Sequence, residues 1–224
     1  MTGLIALNQQ PTELISAEEK MFKDMAGSAS YLPRIQLFTA ASGLCKSGEF
    51  PQNSWGLTRT KDDVVDLGKN VEVVPIGWRF KALDLRSGDV LSYFDATTAN
   101  WEVVSKLSGV ADSNCMSGVE FLLWLTELGE FCTFFAYNKS SKQEAPKIKG
   151  LINDTATLTS RFVPNKKEPK KAFQAPVCNK STTPPASLPT NDEANAELAK
   201  FKSAKDSVIT TATAADDAAT SRVQ

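Results

Sequence analysis

Val119-Glu120-Phe121-Leu122-Leu123-Trp124-Leu125, then the break Thr126-Glu127-Leu128-Gly129-Glu130, then Phe131-Cys132-Thr133-Phe134-Phe135-Ala136-Tyr137 is the stretch that decides the fold. Two apolar runs of strand length, joined by a short connection containing Gly129, predict a β-hairpin. Both runs carry apolar residues at odd and even positions alike. Successive strand residues point to opposite faces, so this hairpin should be central and covered on at least part of each side. Phe131, Thr133, Phe135 and Tyr137 fall on one face, and Cys132, Phe134 and Ala136 on the other.

Working outward, residues 31–38 read as a short extended segment and residues 71–76 as a continuous β-branched strand. Trp78-Arg79-Phe80-Lys81-Ala82-Leu83-Asp84 opens with alternating aromatic and basic residues, which puts Trp78 and Phe80 on one face and Arg79 and Lys81 on the other. Residues 90–94 and 101–104 are shorter strand candidates, and residues 155–163 and 172–177 add two more around a turn at Pro164-Asn165-Lys166-Lys167. Gly48, Pro51 and Gly56 make residues 43–57 loop-like. A short helix is expected over residues 12–25, and one broken by Pro146 over residues 140–152. Short strands at roughly ten-residue spacing predict a mostly β (α+β) fold. Its expected form is an OB-like barrel or a related antiparallel barrel with peripheral helices and a disordered C-terminal tail.

Four regions follow from composition: an N-terminal helical extension over 1–30, a β-rich core over 31–178, a Pro/Ser/Thr linker over 179–189, and a C-terminal helix with a flexible tail over 190–224. Thr190 and Glu193 have capping-box spacing, and Ala194, Leu198 and Phe201 recur at helical intervals. After Ile209 the chain has too little apolar bulk to pack. The linker predicts that everything beyond it is dispensable for folding the core.

Charge is unevenly distributed. Residues 138–171 hold nine basic residues, Lys139, Lys142, Lys147, Lys149, Arg161, Lys166, Lys167, Lys170 and Lys171, against Glu144, Asp154 and Glu168. The 137 residues before them hold 11 basic and 17 acidic residues. A basic segment next to aromatics offers phosphates a counter-charge and bases a stacking surface, which single-strand binding requires. The expected nucleic-acid-binding residues are these nine together with Trp78, Arg79, Phe80, Lys81, Phe135 and Tyr137.

The absence of histidine removes the commonest general base and every histidine-containing zinc site. Cys45, Cys115, Cys132 and Cys178 are too scattered for a local redox pair or zinc knuckle. No phosphate-loop spacing of glycines occurs. No catalytic residue, cofactor or metal site is expected. The one competing chemistry is a metal-dependent nuclease built on Asp62, Asp63 and Asp66. No apolar signal segment follows the N-terminus, and the longest apolar stretch is too short to cross a bilayer, so no membrane partner is expected.

Leu32-Pro33-Arg34-Ile35-Gln36-Leu37, Trp55-Gly56-Leu57, Asp66-Leu67-Gly68-Lys69, Arg79-Phe80-Lys81-Ala82-Leu83-Asp84, Phe121-Leu122-Leu123-Trp124-Leu125 and the segment from Ala156 to Phe173 resemble landmarks of a tailed-bacteriophage protein family. In design the chain is similar to phage single-stranded-DNA-binding proteins. The resemblance implies a non-enzymatic binder of single-stranded DNA, acting in replication or recombination in the cytoplasm of the infected host cell. It also implies replication or recombination proteins as partners of the tail. The tail departs from that pattern, because Asp216-Asp217 is followed by Arg222-Val223-Gln224 rather than by a strongly acidic tip. The alternative from another class is a virion or assembly protein.

Overall fold

The computed structural model describes residues 32–60, 62–84, 90–94, 115–164 and 173–203 of the 224. The expected helix at residues 12–25, the strand at 101–104 and the tail beyond 203 lie outside the described residues. In chain order the elements are β1 (Arg34–Phe38), α1 (Gly43–Lys46), β2 (Ser54–Thr60), β3 (Asp63–Gly68), β4 (Val71–Asp84), β5 (Val90–Phe94), β6 (Cys115–Leu125), β7 (Glu130–Ala136), α2 (Lys139–Gly150), β8 (Ala156–Val163), β9 (Phe173–Lys180) and α3 (Asn191–Ser203).

The fold is mostly β with few helices. One sheet runs β3-β2-β1-β7-β6-β4-β8-β9, with β5 paired to β4 off that path. It is strongly curled into an open half-barrel. Two features correct the antiparallel-barrel expectation. The sheet ends at β3 and β9 instead of closing, and it is mixed, because β1 and β7 pair in parallel through Arg34↔Thr133 and Ile35↔Phe134. That parallel contact joins segments about a hundred residues apart, beyond the reach of any local pattern.

The β6–β7 hairpin forms as expected, in register from Val119↔Ala136 to Leu125↔Glu130. Gly129 takes positive φ in its turn. Where β6 enters the hairpin, a Cβ on Gly118 would lie 2.3 Å from the Ala136 carbonyl oxygen and 2.8 Å from the Tyr137 Cα. Both are backbone atoms at the end of the paired strand β7 and cannot step aside. Gly118→Ala should therefore cost roughly 1–3 kcal/mol by overpacking, read as a lower denaturant midpoint at unchanged m-value.

The two strands expected at 71–76 and 78–84 are one continuous β4, with a register shift between Pro75 and Gly77 that absorbs the proline. The loop-like reading of residues 43–57 is corrected by α1 and β2. Trp55 and Leu57 of β2 are fully buried, and Gly56 is required between them because the Phe38 ring would lie 2.4 Å from any Cβ there.

The sheet has two covered faces. The inner face of the curl gathers Ile35, Trp55, Leu57, Val73, Phe121, Leu123, Phe134 and Leu158, and α2 closes it with Ala145 and Ile148. On the outer face Val74, Ile76, Leu122 and Trp124 pack against Leu198 and Phe201 of α3. The Pro/Ser/Thr segment is tied to the same face, since the Trp124 indole N–H donates to the carbonyl and hydroxyl oxygens of Ser187, each at 3.2 Å. α3 thus covers part of the core, contrary to the expectation of a dispensable terminus. The capping box at its start forms as read, with Glu193 N–H on Thr190 Oγ1 at 3.2 Å and Thr190 N–H on Glu193 Oε2 at 2.8 Å.

Candidate nucleic-acid interface

The basic segment begins where β7 ends. Asn138 is the N-cap of α2, its side-chain oxygen accepting the Ser141 N–H at 2.8 Å. Helical spacing then separates two sides. Ser141, Glu144, Ala145 and Ile148 are buried, while Lys139, Lys142, Pro146 and Lys147 are exposed. At 1.5 Å per residue, the lysines from Lys139 to Lys149 span about 15 Å along the helix. Pro146 does not break α2, contrary to expectation. It lies on the solvent side, where the backbone bond it cannot donate is least costly, and the buried face holds the helix together.

Glu144 explains how α2 is fixed to the sheet edge. Its carboxylate accepts the Cys178 backbone N–H at 3.3 Å and the Lys147 ammonium at 2.9 Å. Cys178 belongs to β9, whose outward N–H would otherwise be an unpaired edge donor. Burial and the Glu144 charge push the Cys178 thiol up to about 11, with Lys147 opposing them.

The candidate aromatics of β4 lie on the inner face. Trp78 and Phe80 meet edge to face at 5.4 Å, and the Lys149 ammonium sits 3.3 Å from the Trp78 ring centroid and 5.1 Å from that of Phe80. This is a cation–π arrangement in a half-buried setting. Burial lowers the Lys149 pKa. With the core behind it and Lys149 over it, Trp78 offers no free face for a base.

Arg79 and Lys81 lie on the outer face, as the alternation requires, but they do not form an open basic surface. The Glu120 carboxylate takes Arg79 at 2.6 Å and Lys81 at 2.7 Å, and the side-chain exposures are only 12%, 16% and 3% for Arg79, Lys81 and Glu120. Arg79 also donates to the Phe201 carbonyl in the last turn of α3, and its guanidinium stacks 3.9 Å from the Phe201 ring centroid. It satisfies a C-terminal helix carbonyl from the sheet face beneath α3. Burial pushes the Glu120 carboxyl upward, but the charges and hydrogen bonds of Lys81 and Arg79 outweigh it, and the pKa ends below the usual value.

Phe135 is buried too, with Lys81 5.4 Å above its ring and Tyr137 at 5.5 Å. Of the four aromatics expected to stack, only Tyr137 is exposed, at 42%. It stands directly before the N-cap of α2, beside exposed Lys139.

Arg161 is exposed on β8. Lys166, Lys167, Lys170 and Lys171 lie outside the described residues, in the connection from β8 to β9. Local pattern missed Phe162 and Phe173, which flank that connection and are 65% and 44% exposed. The available signal was an aromatic on each side of a lysine-rich turn. Asp63 and Asp66 serve the β2–β3 hairpin: Asp66 accepts the Ser54 hydroxyl and the Gly68 N–H, and Asp63 lies 3.6 Å from Arg59. No protein-family model matches the chain, and comparison with curated proteins and with solved structures gives no match.

Proposed function

We propose that this protein is a non-enzymatic binder of single-stranded DNA, of the phage type its sequence resembles, acting in replication or recombination. The observation that carries this reading is the exposed lysine stripe of α2, which starts beside the exposed Tyr137 ring. Lysines spaced along one helix face can track phosphates without reading sequence, and a neighbouring ring can take a base. Lys139, Lys142 and Lys147 are the phosphate contacts in this reading, with Lys149 at the flank. The OB-like reading of the fold belongs here as well, because that class is a curled, partly open β-barrel that binds oligonucleotides. Replication or recombination proteins are the proposed further partners.

The test is binding of oligo-dT, followed by intrinsic tryptophan fluorescence across a salt series. Converting Lys139, Lys142 and Lys147 to Gln should weaken binding and flatten the slope of log affinity against log salt by about 2, at roughly 0.7 counterions per phosphate on single strands. Unchanged affinity and slope would leave the stripe a solvated surface and favour the assembly-protein alternative.

A further inference from the structure

We infer that Lys149 gates a second base-stacking site: when a single strand lies along α2, the Lys149 ammonium leaves the Trp78 ring for a phosphate and a base takes its place on the indole; this rests on the binding reading above. Helix geometry puts Lys149 where that strand would run. At about 3.6 residues per turn, Lys139, Lys142 and Lys149 fall within about 80° of one another on one side of α2. Exposed Pro146 lies between them, while Lys147 turns to the opposite flank and meets Glu144. The row begins beside the exposed Tyr137 ring and ends over Trp78. An aromatic ring thus stands at each end of a line of ammonium groups.

Lys149 differs from the other cations beside the candidate aromatics. Arg79 and Lys81 share the buried Glu120 carboxylate. Among the described residues, the groups that meet the Lys149 ammonium are the rings of Trp78 and Phe80, at 3.3 and 5.1 Å, and burial lowers its pKa. A cation–π contact in a half-buried setting is weaker than a buried, hydrogen-bonded ion pair, so this is the cation that a competing anion displaces first. A phosphate offers the full counter-charge that the rings lack.

The move needs no change of fold. Glu144, Ala145 and Ile148 hold the α2 backbone against the sheet, but the flexible four-carbon stem of a lysine can swing without it. The indole left behind is half-buried and packs against the core, so only the face that the ammonium vacates needs a new cover. A base supplies a flat π-surface for it, whereas a simple anion would leave that face in water. The ligand must therefore carry phosphates and unpaired bases together, which a duplex does not offer.

The experiment uses the full chain and oligo-dT, read by intrinsic tryptophan emission across a salt series. Lys149→Gln should flatten the slope of log affinity against log salt by about 0.7, because the ammonium ends on a phosphate. Wild-type emission should be quenched at saturation, and most of that quenching should vanish in Trp78→Phe, although Trp55, Trp101 and Trp124 remain. Trp78→Leu, which keeps apolar bulk without a π-face, should weaken binding about fivefold to a hundredfold at unchanged salt slope. The first two substitutions are conservative, so the outcome does not hang on whether Trp78→Leu folds. A wild-type slope in Lys149→Gln, wild-type quenching in Trp78→Phe or wild-type affinity in Trp78→Leu would each overturn the gate and leave the α2 reading standing. If wild-type protein does not bind at all, both fail.

Discussion

Glu120→Ala should lower the unfolding free energy by about 3–5 kcal/mol, the range found when one member of a buried ion pair is removed. For a chain of this size that corresponds to a fall of roughly 6–20 °C in melting temperature. The effect is large because one carboxylate serves two cations. Arg79 and Lys81 flank Glu120 across the β4–β6 pairing, and α3 lies over them. Without Glu120 two largely buried positive charges lose the carboxylate that they share. Glu120→Gln keeps the shape and one acceptor oxygen, and should fall between wild type and alanine. The pH dependence has a definite sign. Because the folded pKa of Glu120 lies below its unfolded value, its contribution is complete above the unfolded pKa of about 4.3 and is lost as pH falls through the lower, folded value. Wild-type protein should therefore lose stability below about pH 4 more steeply than Glu120→Gln does. Parallel acid denaturation curves for the two proteins would show that the carboxylate is not held by its partners.

Phe201→Ala should cost about 3–5 kcal/mol, as deletion of a buried aromatic ring does. Phe201 is only 4% exposed, it packs with Val74, Ile76, Leu122 and Trp124, and its ring carries the Arg79 guanidinium. Ending the chain at Lys180 should do more. It removes Leu198, which sits where a Cβ of Gly77 would be, together with Ser187, the acceptor for the Trp124 indole. The truncated chain should show a broadened melt and bind a dye for exposed apolar surface. A sharp melt at the full-length temperature would mean that the outer face needs no cover.

The central hairpin was legible because both its runs carry apolar residues at odd and even positions alike, a pattern that a strand covered on both faces supports. The opposed faces of Trp78 and Phe80 against Arg79 and Lys81 were legible from alternation alone, and the Thr190–Glu193 cap from its spacing. β2 was hidden because Gly56 looks like a breaker, whereas its lack of a side chain makes room for the Phe38 ring. The unbroken course of α2 was hidden because Pro146 is judged by its own chemistry, while the buried Ala145 and Ile148 decide the outcome.

The candidate interface divides along the same line. Strand periodicity, the helix cap and the concentration of lysines after Tyr137 are properties of neighbouring residues, and the sequence alone determined them. Whether Arg79 and Lys81 meet solvent or Glu120, and whether Phe135 is buried while Phe162 is not, depends on residues tens of positions away. Only the tertiary structure decided these points, because exposure and ion pairing are set by which surfaces the curled sheet, α2 and α3 bring together.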